Sequence, residues 1–387
     1  MFKSKNPMRR GTGGLITVAV TIALAGCSGG ATASSLATGS GSTPSVQAIR
    51  TLAQLHKGTE TAPPAKGPAA VAGKKVWFVS CGQSIPDCSV PAAAAKEAAG
   101  TLGWDFKIAD GALNVGGANA SAFRTALASN PDAIIVHGIS CEAIRQPLLE
   151  AKAQGVPVMG LESLDCDGQP LFTAEMKYGD EFPTVKDYLY SWGVWGASYL
   201  AAGGQAPRII VEKSDEPLLA AIGKGFTDTL ASCSTCKVIT DISFISSDLV
   251  TNGPLSQRLR ASLAKNPDLT AVFMPVDVNM AGADGAQDVK RAGLPQQITI
   301  AGGTGSPTTL DMIRSGAVAE VTAHDIGWLA YGAMDNLNRT FAGQSAVSQG
   351  IGVVAVDKTA NLPAVPGSNY TSQVGWKAAY TALWSGK

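Results

Sequence analysis

The residues best equipped for chemistry in this 387-residue chain are seven cysteines and three histidines. Cys81, Cys88, Cys141, Cys166, Cys233 and Cys236 form an even set, which in an exported chain implies disulfides. Cys81 and Cys88 bracket one loop, Cys141 and Cys166 follow adjacent strand ends, and Cys233 and Cys236 frame a tight turn, so these are the expected pairs. Zinc is a poor alternative, because no histidine stands at ligand spacing from a cysteine pair. A redox role for Cys233 and Cys236 is equally poor. A reactive C-x-x-C belongs at a strand-to-helix turn, where the helix start lowers the first thiol's pKa. This pair follows a helix and precedes a strand.

Only His56, His137 and His324 can serve as imidazole bases. The sequence has no Gly-x-Ser-x-Gly elbow, no phosphate-cradling Gly-x-x-x-x-Gly-Lys-Ser/Thr and no His-Glu-x-x-His. Gly302, Gly303 and Gly305 follow a strand, but the rest of a dinucleotide fingerprint is missing. No enzyme activity, cofactor or metal is expected.

The N-terminus carries an address. Lys3, Lys5, Arg9 and Arg10 precede an apolar run over 15–25, too short to span a membrane and laid out as an export signal over residues 1–26. Leu24, Ala25, Gly26 and Cys27 resemble the bacterial lipobox, whose cysteine takes a lipid and anchors the chain without spanning. That places the protein at the cell membrane, lipid-anchored on the extracytoplasmic face. Residues 27–73, rich in Ser, Thr, Ala, Gly and Pro, read as a flexible tether, with a brief helix possible over 46–55. Lys plus Arg and Asp plus Glu are 30 each, so no nucleic-acid footprint exists.

From residue 74 onward, strand-length apolar runs alternate with helices of ten to fourteen residues. Strands are expected over 74–80, 106–109, 132–137 and 156–161, with helices over 90–103, 121–130 and 141–154. An aromatic-rich helix over 184–202 follows, and the rhythm then restarts at 207, with a strand over 269–274 and a helix over 280–292 among its elements. Such alternation implies βαβ units and a parallel sheet, with ligands beyond the carboxyl ends of the strands. The loops to watch are therefore 81–88, 137–141 and 162–167.

Several stretches, in order, resemble the type I periplasmic-binding-protein superfamily, specifically the ribose/galactose-like substrate-binding lipoproteins of ABC importers. They are Asn130-Pro-Asp-Ala-Ile-Ile-Val136, Ala153-Gln-Gly-Val-Pro-Val158, Gly223-Lys-Gly-Phe226, Asn266-Pro-Asp-Leu-Thr-Ala-Val-Phe273 with Asp277 and Met280-Ala-Gly-Ala283, Ile300-Ala-Gly-Gly303 and His324-Asp-Ile-Gly327. The resemblance implies an α/β fold of two Rossmann-like lobes joined by a three-strand hinge, with ligand in the cleft between them. Lobe 1 is expected over 74–186 plus 324–346, and lobe 2 over 187–323 plus 347–387.

It also implies which residues meet ligand. Gln83 and Ser84 lie in the loop after the first strand. His137 stands where the family often has Asn. Glu162 stands where sugar binders place Asp, but Ser163 follows it in place of Arg. Asp277 matches a family Asp, with capping of the next helix as its other role. Thr304 and His324 stand near a usual Asp and Gln, Val276 near Asn, and Ala220 near Arg. Tyr188 and Trp192 are candidates for stacking on ligand, whereas Trp195 and Tyr199 read as core. These departures weaken the case for a simple aldose and admit a less polar or aromatic solute. The implied partners are a small molecule, sugar or sugar-like, an ABC permease and the membrane through Cys27, with the chain a monomer. A sensory lipoprotein of the same fold is the alternative.

Overall fold

The computed structural model describes residues 48–203 and 206–386. Cys27 and the export signal lie outside the described residues. Two parallel sheets dominate. The first has strand order β2-β1-β3-β4, from β1 (Lys75–Ser80), β2 (Asp105–Asp110), β3 (Ala133–His137) and β4 (Val158–Leu161). The second has order β6-β5-β7-β8, from β5 (Arg208–Lys213), β6 (Lys237–Ser243), β7 (Ala271–Met274) and β8 (Thr299–Gly302). Every residue of β3 and of β7 is buried, as expected of central parallel strands covered on both faces. A short antiparallel pair, β9 (Val321–Ala323) with β10 (Val354–Val356), links the two halves.

The helices of the first half are α2 (Pro86–Leu102), α3 (Ala118–Leu127) and α4 (Arg145–Ala153), which follow α1 (Leu52–Lys57). Those of the second are α5 (Val185–Ala202), α6 (Pro217–Leu230), α7 (Pro254–Lys265), α8 (Gly285–Arg291) and α9 (Pro307–Ser315). Helices α10 (Ile326–Phe341) and α11 (Trp376–Trp384) close the chain. Thr184 caps α5 by accepting the Asp187 N–H. Helices α5 and α6 approach so closely that a Cβ on Gly193 would stand 2.0 Å from the Ile222 carbonyl oxygen, and one on Gly225 2.0 Å from that of Tyr190. Only glycine permits this contact. The three expected disulfides are formed, with Cα–Cα distances of 5.6, 5.1 and 5.3 Å.

Three expectations need correction. First, residues 50–73 are no flexible tether. Leu55 of α1 is fully buried, and α1 packs on α5 and β10. The chain then runs along α10, α11 and α2: Arg339 donates to the Lys66 carbonyl, Asn338 to those of Pro68 and Ala69, and Trp104 to that of Val71. The reason is local: Thr51 and Gln54 form a capping box that starts α1 and turns Leu55 inward. Second, residues 347–387 divide. β10 stays with β9, but Trp376, Tyr380 and Trp384 of α11 are buried, and the helix packs on α2 and α10 beside the first sheet. Third, the helix expected over 280–292 is broken. A short π-helix, Val278–Gly282, precedes α8 because Asp284 turns into the left-handed region, φ 60°.

Two carboxyls among the described residues are fully buried without a cation bonded to them. Glu212 accepts from Asn279 Nδ2 at 2.7 Å, and Glu320 accepts from Gly302 N and Thr322 Oγ1. Burial, the largest effect, pushes both up to about 8. The folded chain therefore keeps these protons where the unfolded chain has lost them. Their contribution to stability is complete below about pH 4.5 and is lost as pH rises through about 8. The melting temperature of the Glu212→Gln, Glu320→Gln double variant should fall less between pH 5 and pH 8 than that of the parent, by at least about 5 °C. Parallel pH profiles for parent and variant would refute buried, protonated carboxyls.

Candidate ligand-binding site at the lobe junction

The carboxyl ends of β1, β3, β4 and β7 and the residues after β9 bring a set of polar side chains together. Glu162 follows β4 at φ 47°, a left-handed conformation unusual for a glutamate. Its backbone N–H donates to Tyr178 Oη at 2.9 Å, which holds that conformation, and backbone strain of this kind gathers at functional sites. Its carboxylate reaches two imidazoles. His137 Nε2, at the end of β3, lies 3.0 Å from Oε2, and His324 Nε2, just after β9, lies 3.5 Å from Oε1.

Two helices complete the arrangement. The first two turns of α5 bring Tyr188 and Trp192 to His324. Trp192 stacks on the imidazole with ring centroids 5.2 Å apart, and Tyr188 meets it edge-on at 5.9 Å. Tyr178 stacks on the other side of Tyr188 at 4.5 Å. Asp87 stands in the first turn of α2, where an acid is favoured by the helix dipole. Asp277, after β7, faces it from the second lobe, and the charges of Asp277 and Glu162 both act on Asp87.

The electrostatics follow from burial. Asp87 is pushed up to about 7, by burial first and then by Asp277 and Glu162. His324 is pushed down by burial, which outweighs the attraction of Glu162, so it is neutral at pH 7. Burial would raise Glu162, but the hydrogen bond from His137 leads the opposing effects and holds it below the usual carboxylate range. Tyr188 is pushed well up, by burial and then by Glu162.

The site holds several buried polar atoms without a hydrogen-bond partner: Glu162 Oε1, Tyr188 Oη, Trp192 Nε1, and both ring nitrogens of His324. The Tyr188 hydroxyl and the Trp192 N–H approach one another without reaching hydrogen-bond geometry. Unmade hydrogen bonds of this kind cost about 1–3 kcal/mol each, so a cluster of them calls for a partner from outside the chain.

The sequence profile of the periplasmic binding protein domain matches residues 77–345. The chain belongs to that family. Solved structures of similar fold include the periplasmic binding component of the arabinose ABC transporter from Shewanella sp. ANA-3, 21% identical, covering 73% of this chain and 91% of that one at a TM-score of 0.58. A periplasmic ribose ABC transporter protein from Conexibacter woesei DSM 14684 is 18% identical, with 75% and 94% covered and a TM-score of 0.61. A glucose-galactose binding protein from Geobacillus stearothermophilus is 17% identical, with 74% and 98% covered and a TM-score of 0.62. Comparison with curated protein sequences gives no significant match.

Of the residues expected from the family resemblance, His137, Glu162, Tyr188, Asp277 and His324 meet at this junction. Others have structural duties. Gln83 turns back to donate to Ser80 Oγ and the Cys88 carbonyl, and Ser84 is exposed on the loop. Ser163 is buried and bonded to the backbone of Val136, Ile139 and Leu161, which fixes the loop beside Glu162. Thr304 donates to Asp277 Oδ2 at 3.0 Å, and Asp277 Oδ1 takes the Thr304 N–H at 2.8 Å. The Asp277 carboxylate therefore caps the loop before α9 rather than its own helix. Gly303 permits it: a Cβ there would stand 2.5 Å from Asp277 Oδ1.

Asp87 escaped the sequence reading, which left it in the loop over 81–88 and started the helix at 90. Pro86 is instead at the helix start, where proline is favoured, and an acid directly after such a proline was the available signal.

Proposed function

We propose that this protein is an extracytoplasmic solute-binding lipoprotein, anchored through Cys27, whose lobes close over a small sugar or sugar-like molecule and deliver it to an ABC permease. The observation that carries this reading is the cluster of unpartnered buried polar atoms on Glu162, Tyr188, Trp192 and His324 where the lobes meet. Sugar-sized polar solutes supply donors and acceptors to such atoms and an apolar face to such rings. The arabinose, ribose and glucose-galactose proteins of the same fold lend it support. Closure follows from differential binding: a ligand that touches both lobes favours the closed form. No helix of the described residues is long and apolar enough to cross a membrane.

Thermal melting against a panel of pentoses, hexoses, their amino and acidic derivatives, polyols and aromatic acids tests the proposal. At a concentration 100 times its Kd, a solute that binds only the folded chain adds about 2.7 kcal/mol, which raises the midpoint by roughly 4 °C. No shift from any solute class would overturn it.

A further inference from the structure

The chemical class of the solute can be narrowed; this step rests on the binding role just proposed. Three carboxylates, Asp87, Glu162 and Asp277, converge on the junction from α2, β4 and β7. Their supply of donors is uneven. Asp277 is saturated by the Thr304 and Ser306 N–H groups and the Thr304 hydroxyl. Glu162 has one oxygen on His137 and leaves Oε1 without a donor. Asp87 receives no hydrogen bond from the described residues.

No lysine or arginine among the described residues figures in the charge environment of Asp87, Glu162 or His324. Closing the lobes over a neutral solute would gather Asp87 and Glu162 in a dry site with only the hydrogen bond from His137 to Glu162 to offset them, which is costly. An independent observation points to a ligand in the same place. His324 is 6% exposed, with both ring nitrogens unpartnered and one of them 3.5 Å from the free Glu162 oxygen. Beside it, Tyr188 and Trp192 form an aromatic wall, and aromatic faces next to carboxylates are where cationic nitrogen is recognised.

We propose that this cleft selects a solute carrying a protonated amine on a polar frame of sugar size, with the ammonium between Asp87 and Glu162, over the neutral sugar of the same shape. The groups facing that position are Asp87 from α2, His137 from β3, Glu162 from β4, Asp277 from β7, and His324 after β9. Asp87 must be ionised to pair with an ammonium, so binding releases a proton from it, and affinity falls as pH drops below about 7.

The test is calorimetric titration of the full chain with matched sets: hexoses, the corresponding hexosamines and the corresponding hexuronates. At pH 7.5 a hexosamine is expected to bind at least about tenfold tighter than its neutral hexose, with its uronate undetectable. That preference should shrink to about twofold in Asp87→Asn and in Glu162→Gln, two near-isosteric variants whose folding is checked by melting. The parent's affinity for the hexosamine should fall about tenfold from pH 7, where the amine is already mostly protonated, to pH 5.5, and less in Asp87→Asn. A hexose or uronate that binds as well as its hexosamine overturns the cation preference and leaves solute binding intact. Binding by none of the three classes overturns the cation preference, and the absence of any melting shift from the wider solute panel overturns the binding role as well.

Discussion

A chain that begins at residue 74 is expected to melt at least about 10 °C below one that begins at residue 48. The difference lies in what the segment over 50–73 satisfies. Leu55 is fully buried, and its carbonyl accepts the Trp195 indole N–H at 3.3 Å. Arg50 sits 4.3 Å above the Trp195 ring. His56 pairs with Asp357 at 2.8 Å, and Glu60 accepts from Ser372 at 2.6 Å and Tyr370 at 3.2 Å. Farther on, the Lys66, Pro68, Ala69 and Val71 carbonyls take donors from Arg339, Asn338 and Trp104.

Removal strands several of these donors in buried surroundings, at about 1–3 kcal/mol each. Leu55→Ala alone should cost about 2–5 kcal/mol. At about 1–2 °C per kcal/mol for a chain of this size, the total reaches about 10 °C or more. Truncation at Gly58 already removes Leu55 and its bond to Trp195, so a soluble form for binding work should keep residue 48 onward. Midpoints within about 2 °C for the two starts would show that the segment only lies on the body.

Tyr188→Phe should separate stability from binding in opposite directions. Its hydroxyl is buried and makes no hydrogen bond, so removing it relieves an unpaired polar group. The ligand-free variant should be more stable by about 1 kcal/mol, a rise of about 1–2 °C. A solute that uses the hydroxyl should lose about tenfold or more in affinity, since the lost bond is worth about 1.5 kcal/mol or more in a desolvated site. A residue with a purely structural part would not show this split. Loss of stability without loss of affinity would assign Tyr188 to the core, beside Trp195.

The βαβ rhythm and both lobes were legible in the sequence because parallel strands are short apolar runs, and 132–137 and 269–274 are nearly pure ones. The disulfides were legible because each cysteine pair brackets a single turn or two adjacent strand ends. His137, Glu162, Asp277 and His324 could be located because they stand just past strand ends, where this architecture places its ligands.

What stayed hidden has physical causes. The packing of 50–73 depends on Leu55 and on carbonyls, and backbone acceptors leave no mark in a composition rich in small residues. The return of α11 to the first lobe depends on which surface its Trp376, Tyr380 and Trp384 cover, and their four-residue spacing shows only that a helix has one apolar face. Gln83 and Ser84 were plausible contacts by position alone. Gln83 is consumed by Ser80 and the Cys88 carbonyl, which only the folded loop reveals.

The central claim is that a small solute occupies the junction between Asp87 and Glu162 on one side and Asp277 on the other, against Tyr188, Trp192 and His324. The most direct measurement is a crystal structure of the chain grown with a solute that raises its melting midpoint. The account predicts electron density for that solute at the junction, hydrogen-bonded to Tyr188 Oη, Glu162 Oε1 and a ring nitrogen of His324. Density for it elsewhere, with those atoms still unpartnered, would contradict the account.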